Sequence, residues 1–486
     1  MKDQTKSEKV ILLGNIKISL KVLLCFILYS IFSLSIFYCT NKLVDYSWLN
    51  MATFIVIAQL IVNIIILVKL GYKLYSLPVL FIMFSFLFHC SHLFLITFNI
   101  NVERPFDSTV LVDDNIFRSA IIFTIFVQMG IMVGVLLTNL KKKSIIKKVN
   151  CNSMEEKQRI YFIGIILFVV GIIPKLYIDL SRIILYVQGN YLSTYEINVS
   201  GIISTISNFS EYGIMLLLIG KSENKKICNK VLIFTIIYQG IIMMTGNRGR
   251  AVVFILSLVF IYMSLINKTN WKIIIKYCVL GYFSIIMLNF VGDLRMAEIN
   301  DFKSCIELFK HSITNSPIFS FMAEFGATII TVCYSFMFFP SYVSFSGGYN
   351  YLLSLLTVLP NIGGMVTKFS NQLIFINNFP ANYKAFLGGS YIGELYYSFG
   401  MYGIIVAVFE GCLLALIANS MIKSLCNENW LMLACLLVLF PNILWSIRSY
   451  FSGMVRECVW TIIFIQIVNF ILKTYNNKSV KGRGLI

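Results

Sequence analysis

The feature that most limits this chain is a succession of twelve apolar runs, each roughly 17 to 25 residues long, the length that carries a helix across about 30 Å of hydrocarbon. They begin near Ile18, Leu49, Leu77, Phe117, Ile160, Gly201, Val231, Ala251, Ile273, Met401, Trp430 and Glu457. Inside a bilayer every backbone N–H and C=O must find its partner within the chain, so runs of this kind fold as helices. The Val231 and Ala251 runs are short, and the Gly201 run is interrupted by Ser204, Ser207, Asn208 and Glu211. No small-residue cleavage site follows the first run, which reads as a retained span. With 58% hydrophobic and only 13% charged residues over 486 positions, a soluble domain is excluded. The expectation is an all-α integral membrane protein, residues 1–486 forming one polytopic domain of about 12 spans, with both termini cytoplasmic.

A net charge of +18 would suggest nucleic acid as a partner for a soluble protein. Here most lysines lie in short segments between apolar runs, where they set orientation, so no nucleic acid is expected. Alternating the loops from a cytoplasmic N-terminus puts 24 lysines and two arginines inside, against six lysines and eight arginines outside. Topology requires only positive charge and has no reason to separate the two residue types. The outer arginines are Arg104, Arg118, Arg182, Arg248, Arg250, Arg295, Arg448 and Arg456. A guanidinium cannot lose its charge, and its planar fork grips phosphate oxygens two at a time. An outward site for an anionic headgroup or a diphosphate follows, the alternative being a set of interfacial anchors and salt bridges.

The sharpest local signal is Gly246-Asn247-Arg248-Gly249-Arg250 at the start of the Ala251 run. Arg248 and Arg250 there combine with the free N–H groups and positive dipole end of a helix to make a phosphate cradle. A short turn whose arginines reach up to lipid headgroups is the simpler alternative. Arg295, Arg448 and Arg456 are the remaining diphosphate-binding candidates. The 12 cysteines are scattered, without a CxxC pair or His/Cys ligand spacing, so neither a metal nor another cofactor is expected.

Residues 293–400 are much the longest segment between runs and are expected outside. Pro317 to Pro340 and Tyr351 to Val366 are apolar enough to lie as helices in the interface, or to form two further spans and bring the total to 14. The segment carries the candidate bases Glu394, His311 and Glu324, and tyrosines suited to sugar rings. Glu103-Arg104-Pro105-Phe106-Asp107 with Asp113-Asp114 reads as a solvated acidic loop, a divalent-ion site being the alternative. Glu410 falls in mid-span, where a carboxylate is either functional or bonded to a neighbouring helix. His89 and His92 are expected to pack locally, and Gly130 with Gly134 to seat another helix of the same chain.

Three elements carry a resemblance: Thr245-Gly246-Asn247-Arg248-Gly249-Arg250, Gly292-Asp293-Leu294-Arg295, and Gly388-Gly389-Ser390-Tyr391-Ile392-Gly393-Glu394-Leu395-Tyr396-Tyr397-Ser398-Phe399-Gly400. Together with the dozen spans and the large outer loop in the C-terminal half, they resemble the Wzy-type oligosaccharide repeat-unit polymerases. That resemblance implies a GT-C-like bundle in the bacterial cytoplasmic (inner) membrane with an outward-facing active site. It further implies an inverting glycosyltransferase that joins undecaprenyl-diphosphate-linked oligosaccharides, as donor and acceptor, into O-antigen or capsular polysaccharide. Its other partners would be the bilayer, a chain-length regulator and a flippase. The O-antigen ligases share the architecture and the donor, and a histidine in one of their loops is what brings His311 forward. A flippase is the non-enzyme alternative, but two similar halves and short loops on both faces would then be expected.

Overall fold

The computed structural model describes residues 10–13, 16–45, 47–140, 153–188, 199–245, 248–266, 281–287, 289–290, 294, 302–314, 316–361, 364–384 and 387–483. Apart from a four-residue antiparallel ribbon, Val10–Leu13 with Ile16–Ser19, regular structure in these residues is helical. The long helices are α1 (Leu20–Thr40), α2 (Trp48–Lys69), α3 (Leu77–Thr97), α4 (Asp114–Asn139), α5 (Ser153–Gln188), α6 (Gly201–Gly220) and α7 (Lys225–Met244). After them come α8 (Arg248–Ile261), prolonged by a π turn to Ile266, the surface helix α9 (Phe302–Thr314), α10 (Pro317–Gly326), α11 (Ile329–Phe338) and the short α12 (Tyr349–Ser354). The chain then forms α13 (Tyr391–Phe399), α14 (Gly403–Cys426), α15 (Trp430–Ser446) and α16 (Phe451–Arg483). Among the described residues 11 helical stretches are long and apolar enough to cross a membrane, and α15 is a shorter apolar helix.

This is the expected all-α polytopic membrane protein, with differences of detail. The Ile273 run falls mostly outside the described residues. Of the two readings open for Pro317 to Pro340, an interfacial helix or a further span, the second holds: Pro317–Phe338 is a two-part helix within the bundle, both faces of α11 being apolar, with Ile329, Ile330, Val332 and Cys333 all buried. The described residues of Tyr351 to Val366 make short turns only, the last turn of α12, a 3-10 turn ending at Val358 and the start of the helical turn Met365–Lys368, and none of these is among the candidate spans. The span expected from Met401 also begins earlier. Residues 391–399, assigned from the sequence to the loop, form the buried helix α13, and Gly400 with φ +57° breaks it from α14. That backbone conformation suits a residue without Cβ.

Small residues set how closely the helices approach. A Cβ on Gly130 would lie 2.7 Å from the Ile404 carbonyl oxygen, and one on Gly134 2.7 Å from the Cys412 nitrogen. Gly130 and Gly134 therefore seat α14 against α4 within one chain, as expected, with Gly411 answering from the other side. Gly164 and Gly171 on α5 do the same for α6, a Cβ on each coming within 2.9 Å of its backbone. His89 is buried and bridges elements: its Nδ1 bonds the Ser85 carbonyl at 3.0 Å and its Nε2 meets Ser390 Oγ at 2.8 Å. A carbonyl can only accept, so in the neutral ring Nδ1 donates and Nε2 accepts the serine hydroxyl. His92 Nε2 reaches the Ala323 carbonyl at 2.9 Å, tying α3 to α10.

Candidate functional site

Contacts between helix termini distinguish the two ends of the bundle. At one end Lys157 pairs with Glu223 at 2.7 Å and Ser153 donates to Glu428. At the other, the first residues of α6, α8 and α16 and the last of α15 come together: Gly201 lies against Arg456, and Gly249 against Trp445. Arg248, Arg250, Arg448 and Arg456 all belong to this second end.

Their surroundings divide into three places. Arg248, in the first turn of α8, donates to Glu324 of α10. Beside that pair Arg448, in the connection from α15 to α16, sits 5.8 Å from the Phe325 ring centre and 5.9 Å from that of Phe88. Phe88 precedes the end of α3 by more than two turns, so Arg448 is recessed below the rim of the bundle. Gly388 makes room for it, since a Cβ there would lie 3.1 Å from Arg448 Nε. Arg248 and Arg448 thus bring two guanidinium groups together here, Arg448 against aromatic faces, an arrangement suited to meeting an anion.

Arg250, two residues along α8, belongs to a second place. It donates to the buried Glu457 of α16, which also accepts from Tyr212, itself bonded by Asn442 at 2.6 Å. Nearby, Lys175 of α5 lies 3.1 Å from Glu211 and 3.4 Å from Asp179, and Tyr238 donates to Asp179 at 2.6 Å. The charges of Lys175, Arg182 and Arg250 match those of Asp179, Glu211 and Glu457. Such matching is how ionised groups are tolerated within a membrane bundle. Arg456 occupies the third place, donating from Nε to the Thr357 carbonyl. Arg248 and Arg250 thus point to different carboxylates, Glu324 and Glu457. Arg295 lies outside the described residues.

Of the candidate bases, Glu394 is buried on α13 with both oxygens engaged. Oε1 accepts from Asn350 Nδ2 at 3.0 Å, and Oε2 from the backbone N–H of Phe451 at 2.9 Å, at the start of α16, where a helix favours a carboxylate. Glu324 is the Arg248 partner. His311 is exposed on α9, an element that contributes nothing to the walls described next. Glu394 faces a cavity of about 150 Å³ between α3, α4, α12, α13, α14, α15 and α16. Its other polar wall residues are Glu410, Tyr351, Tyr391 and Ser446, and the remainder are apolar. Burial, and then the neighbouring Glu394 and Glu410 carboxylates, hold the Tyr351 phenol well above its ordinary range. Ser446 and Phe451 line this cavity while Arg448 lies between them in sequence, so one short connection links the anion-attracting place to the carboxylate-walled one.

Sequence reasoning missed Asn350, which orients Glu394, and Tyr351; neither stands out from its neighbours in composition. The ionisable Lys175 and Asp179 within an apolar run were a readable signal that went unused. Among the described residues no cluster of three or more His, Cys, Asp or Glu side chains is arranged to hold a metal ion.

Fold and site together define a polytopic helical membrane protein that keeps its charged chemistry inside the bundle, toward one end. Within that class the chain belongs to a known family: the model of the family described as O-antigen polysaccharide polymerase Wzy matches residues 20–479, nearly the whole chain. Its members are glycosyltransferase-like polymerases of O-antigen repeat units. No curated protein and no solved structure matches the chain.

Proposed function

We propose that this polymerase works on the outer face of the bacterial cytoplasmic (inner) membrane, joining oligosaccharide repeat units of O-antigen or capsule carried on undecaprenyl diphosphate. The growing glycan is transferred from its lipid diphosphate to a sugar hydroxyl of a newly delivered unit, in one displacement that inverts the anomeric carbon. Donor and acceptor are then both lipid-linked, and a flippase and a chain-length regulator are the protein partners of such a pathway.

The observation that carries this reading is that Arg448, beside the Arg248–Glu324 pair, sits in the short connection whose Ser446 and Phe451 line the cavity of Glu394 and Glu410. The reaction needs cations where negative charge develops on the departing diphosphate and a base where the hydroxyl loses its proton. Guanidinium groups set against aromatic rings suit the first, and carboxylates across a short connection suit the second. A cavity of about 150 Å³ is of the size that holds a six-membered ring. The sorting of lysine from arginine along the sequence supports the outward orientation.

The test is the lipid-linked glycan of cells lacking the protein. Single repeat units on the carrier at the outer face are the expected result. Finished polymer left on the carrier would make the protein a ligase, and units held at the inner face would make it a flippase. Either outcome overturns the proposal.

A further inference from the structure

Beyond which bond is made, the cavity bears on which of its two carboxylates takes the proton. Glu394, the candidate from sequence, has a donor on each oxygen, from Asn350 and from the Phe451 N–H. Glu410 stands on the other helix of the α13–α14 pair, in a wall shared with Leu413, Leu414 and Ile417. Among the described residues no side chain or backbone group hydrogen-bonds its carboxylate. A carboxylate set in a helical span without a partner is costly, and it is kept where it acts on something that enters. Glu410 thus has both oxygens available to a hydroxyl group in the cavity, whereas Glu394 holds the N-terminus of α16 and one wall in place.

We propose that Glu410 is the catalytic residue that accepts the proton of the acceptor sugar's hydroxyl. This rests on the transfer reaction proposed above. The acceptor O–H bond breaks and its proton passes to a Glu410 oxygen, while the electron pair left on the acceptor oxygen forms the new bond to the donor's anomeric carbon. The bond from that carbon to the diphosphate oxygen breaks, its electron pair leaving with the diphosphate toward Arg448 and Arg248. Glu410 then returns its proton to water. Glu394 is a positioning residue in this scheme. Its second task is to keep Phe451, and with it the Arg448 connection, in register with the cavity.

The test uses the full-length protein in liposomes with lipid-linked repeat units, and compares their polymerisation with transfer of the donor glycan to azide, a nucleophile with no proton to lose. Polymer formation by the wild type tests the proposed function by itself. If the wild type forms none, that reading fails whatever the variants do. Given wild-type activity, Glu410→Gln should slow sugar-to-sugar transfer by about 100-fold or more, with the donor KM unchanged and azide transfer at the wild-type rate. Glu410→Asp, which keeps a carboxylate on a shorter arm, should recover part of the polymerisation. Polymerisation by Glu410→Gln within about threefold of wild type would overturn the assignment. So would loss of azide transfer in both variants, because Glu410 would then be holding the bundle together and not removing a proton.

Discussion

Arg250 on α8 donates to Glu457 on α16, whereas Arg248, two residues earlier on the same helix, donates to Glu324 on α10. Two arginines that read as one phosphate cradle are therefore built into different surroundings. The Glu457 side chain is only 7% exposed, and the nearby Lys175, Asp179 and Glu211 are buried as well. Removing one member of such a set leaves its partner charged and unpaired. Arg250→Ala should destabilise the protein by about 3–5 kcal/mol, seen as a lower melting temperature in detergent and less protein in the membrane. The double variant Arg250→Ala with Glu457→Gln should recover most of that loss. A double variant no more stable than the single one would show that the pair is not what holds Arg250 there.

Arg448 should behave in the opposite way. Its guanidinium lies over the Phe88 and Phe325 rings in a recess, and its work in the proposed reaction is to meet charge that appears as the diphosphate departs. Arg448→Ala is expected to cost about 100- to 1,000-fold in the rate of chain extension at a near-normal protein level. Arg448→Lys should restore little, because an ammonium lacks the two-pronged donor geometry. The measurement is polymer length and yield normalised to protein in the membrane. Wild-type polymer from Arg448→Ala would move the diphosphate elsewhere.

How far the sequence carried this reading depends on what each feature requires. A run such as Leu77 to Thr97 must become a helix in lipid because no other local structure pairs its backbone, so the helices were legible from hydropathy alone. Gly130 and Gly134 were legible too, since their spacing places both on one helix face. Glu394 was singled out, but its surroundings were not: Asn350 is 44 residues away in the chain and Phe451 57, and only the packing of α12, α13 and α16 brings them together. The burial of α13 was missed because Ser390, Glu394 and three tyrosines make its sequence look like a loop. In the structure His89, Ser85 and Asn350 satisfy several of those polar groups. Glu410 was noticed and left undecided, because a mid-span carboxylate cannot be assigned until the facing wall is known.

The α4–α14 contact yields a prediction with a control inside the same chain. A side chain at Gly134 would collide with the backbone of α14 near Val408 and Cys412, whereas a Cβ on Gly240 of α7 meets nothing within 4 Å. Gly134→Leu should force the two helices apart and lower the melting temperature sharply, by the overpacking cost of about 1–3 kcal/mol or more. Gly240→Leu should leave it within a degree or two, and α7 gains helix propensity from the change. Equal effects at the two positions would mean that helix packing is not what Gly134 serves.

Asn350 is the last point of control. Its amide nitrogen donates to Glu394 at 3.0 Å, and its amide oxygen accepts hydroxyls from Ser346 at 2.7 Å and Ser398 at 2.9 Å, which fixes which way round the amide sits. Asn350→Asp removes the donor and sets a second carboxylate against Glu394, while the two serines can still bond it. The repulsion acts on the α13 wall and, through Glu394, on the Phe451 N–H that anchors the Arg448 connection. If Glu394 positions that connection, Asn350→Asp should lower the turnover of chain extension by about tenfold, the effect of a small misplacement at a reacting centre. Asn350→Ala should fall between this variant and the wild type, because it takes away the donor without adding charge. Both variants should bind the lipid-linked donor with little change, since neither touches Arg248 or Arg448. An unchanged turnover in Asn350→Asp, measured in liposomes at matched protein, would separate Glu394 from the reaction altogether.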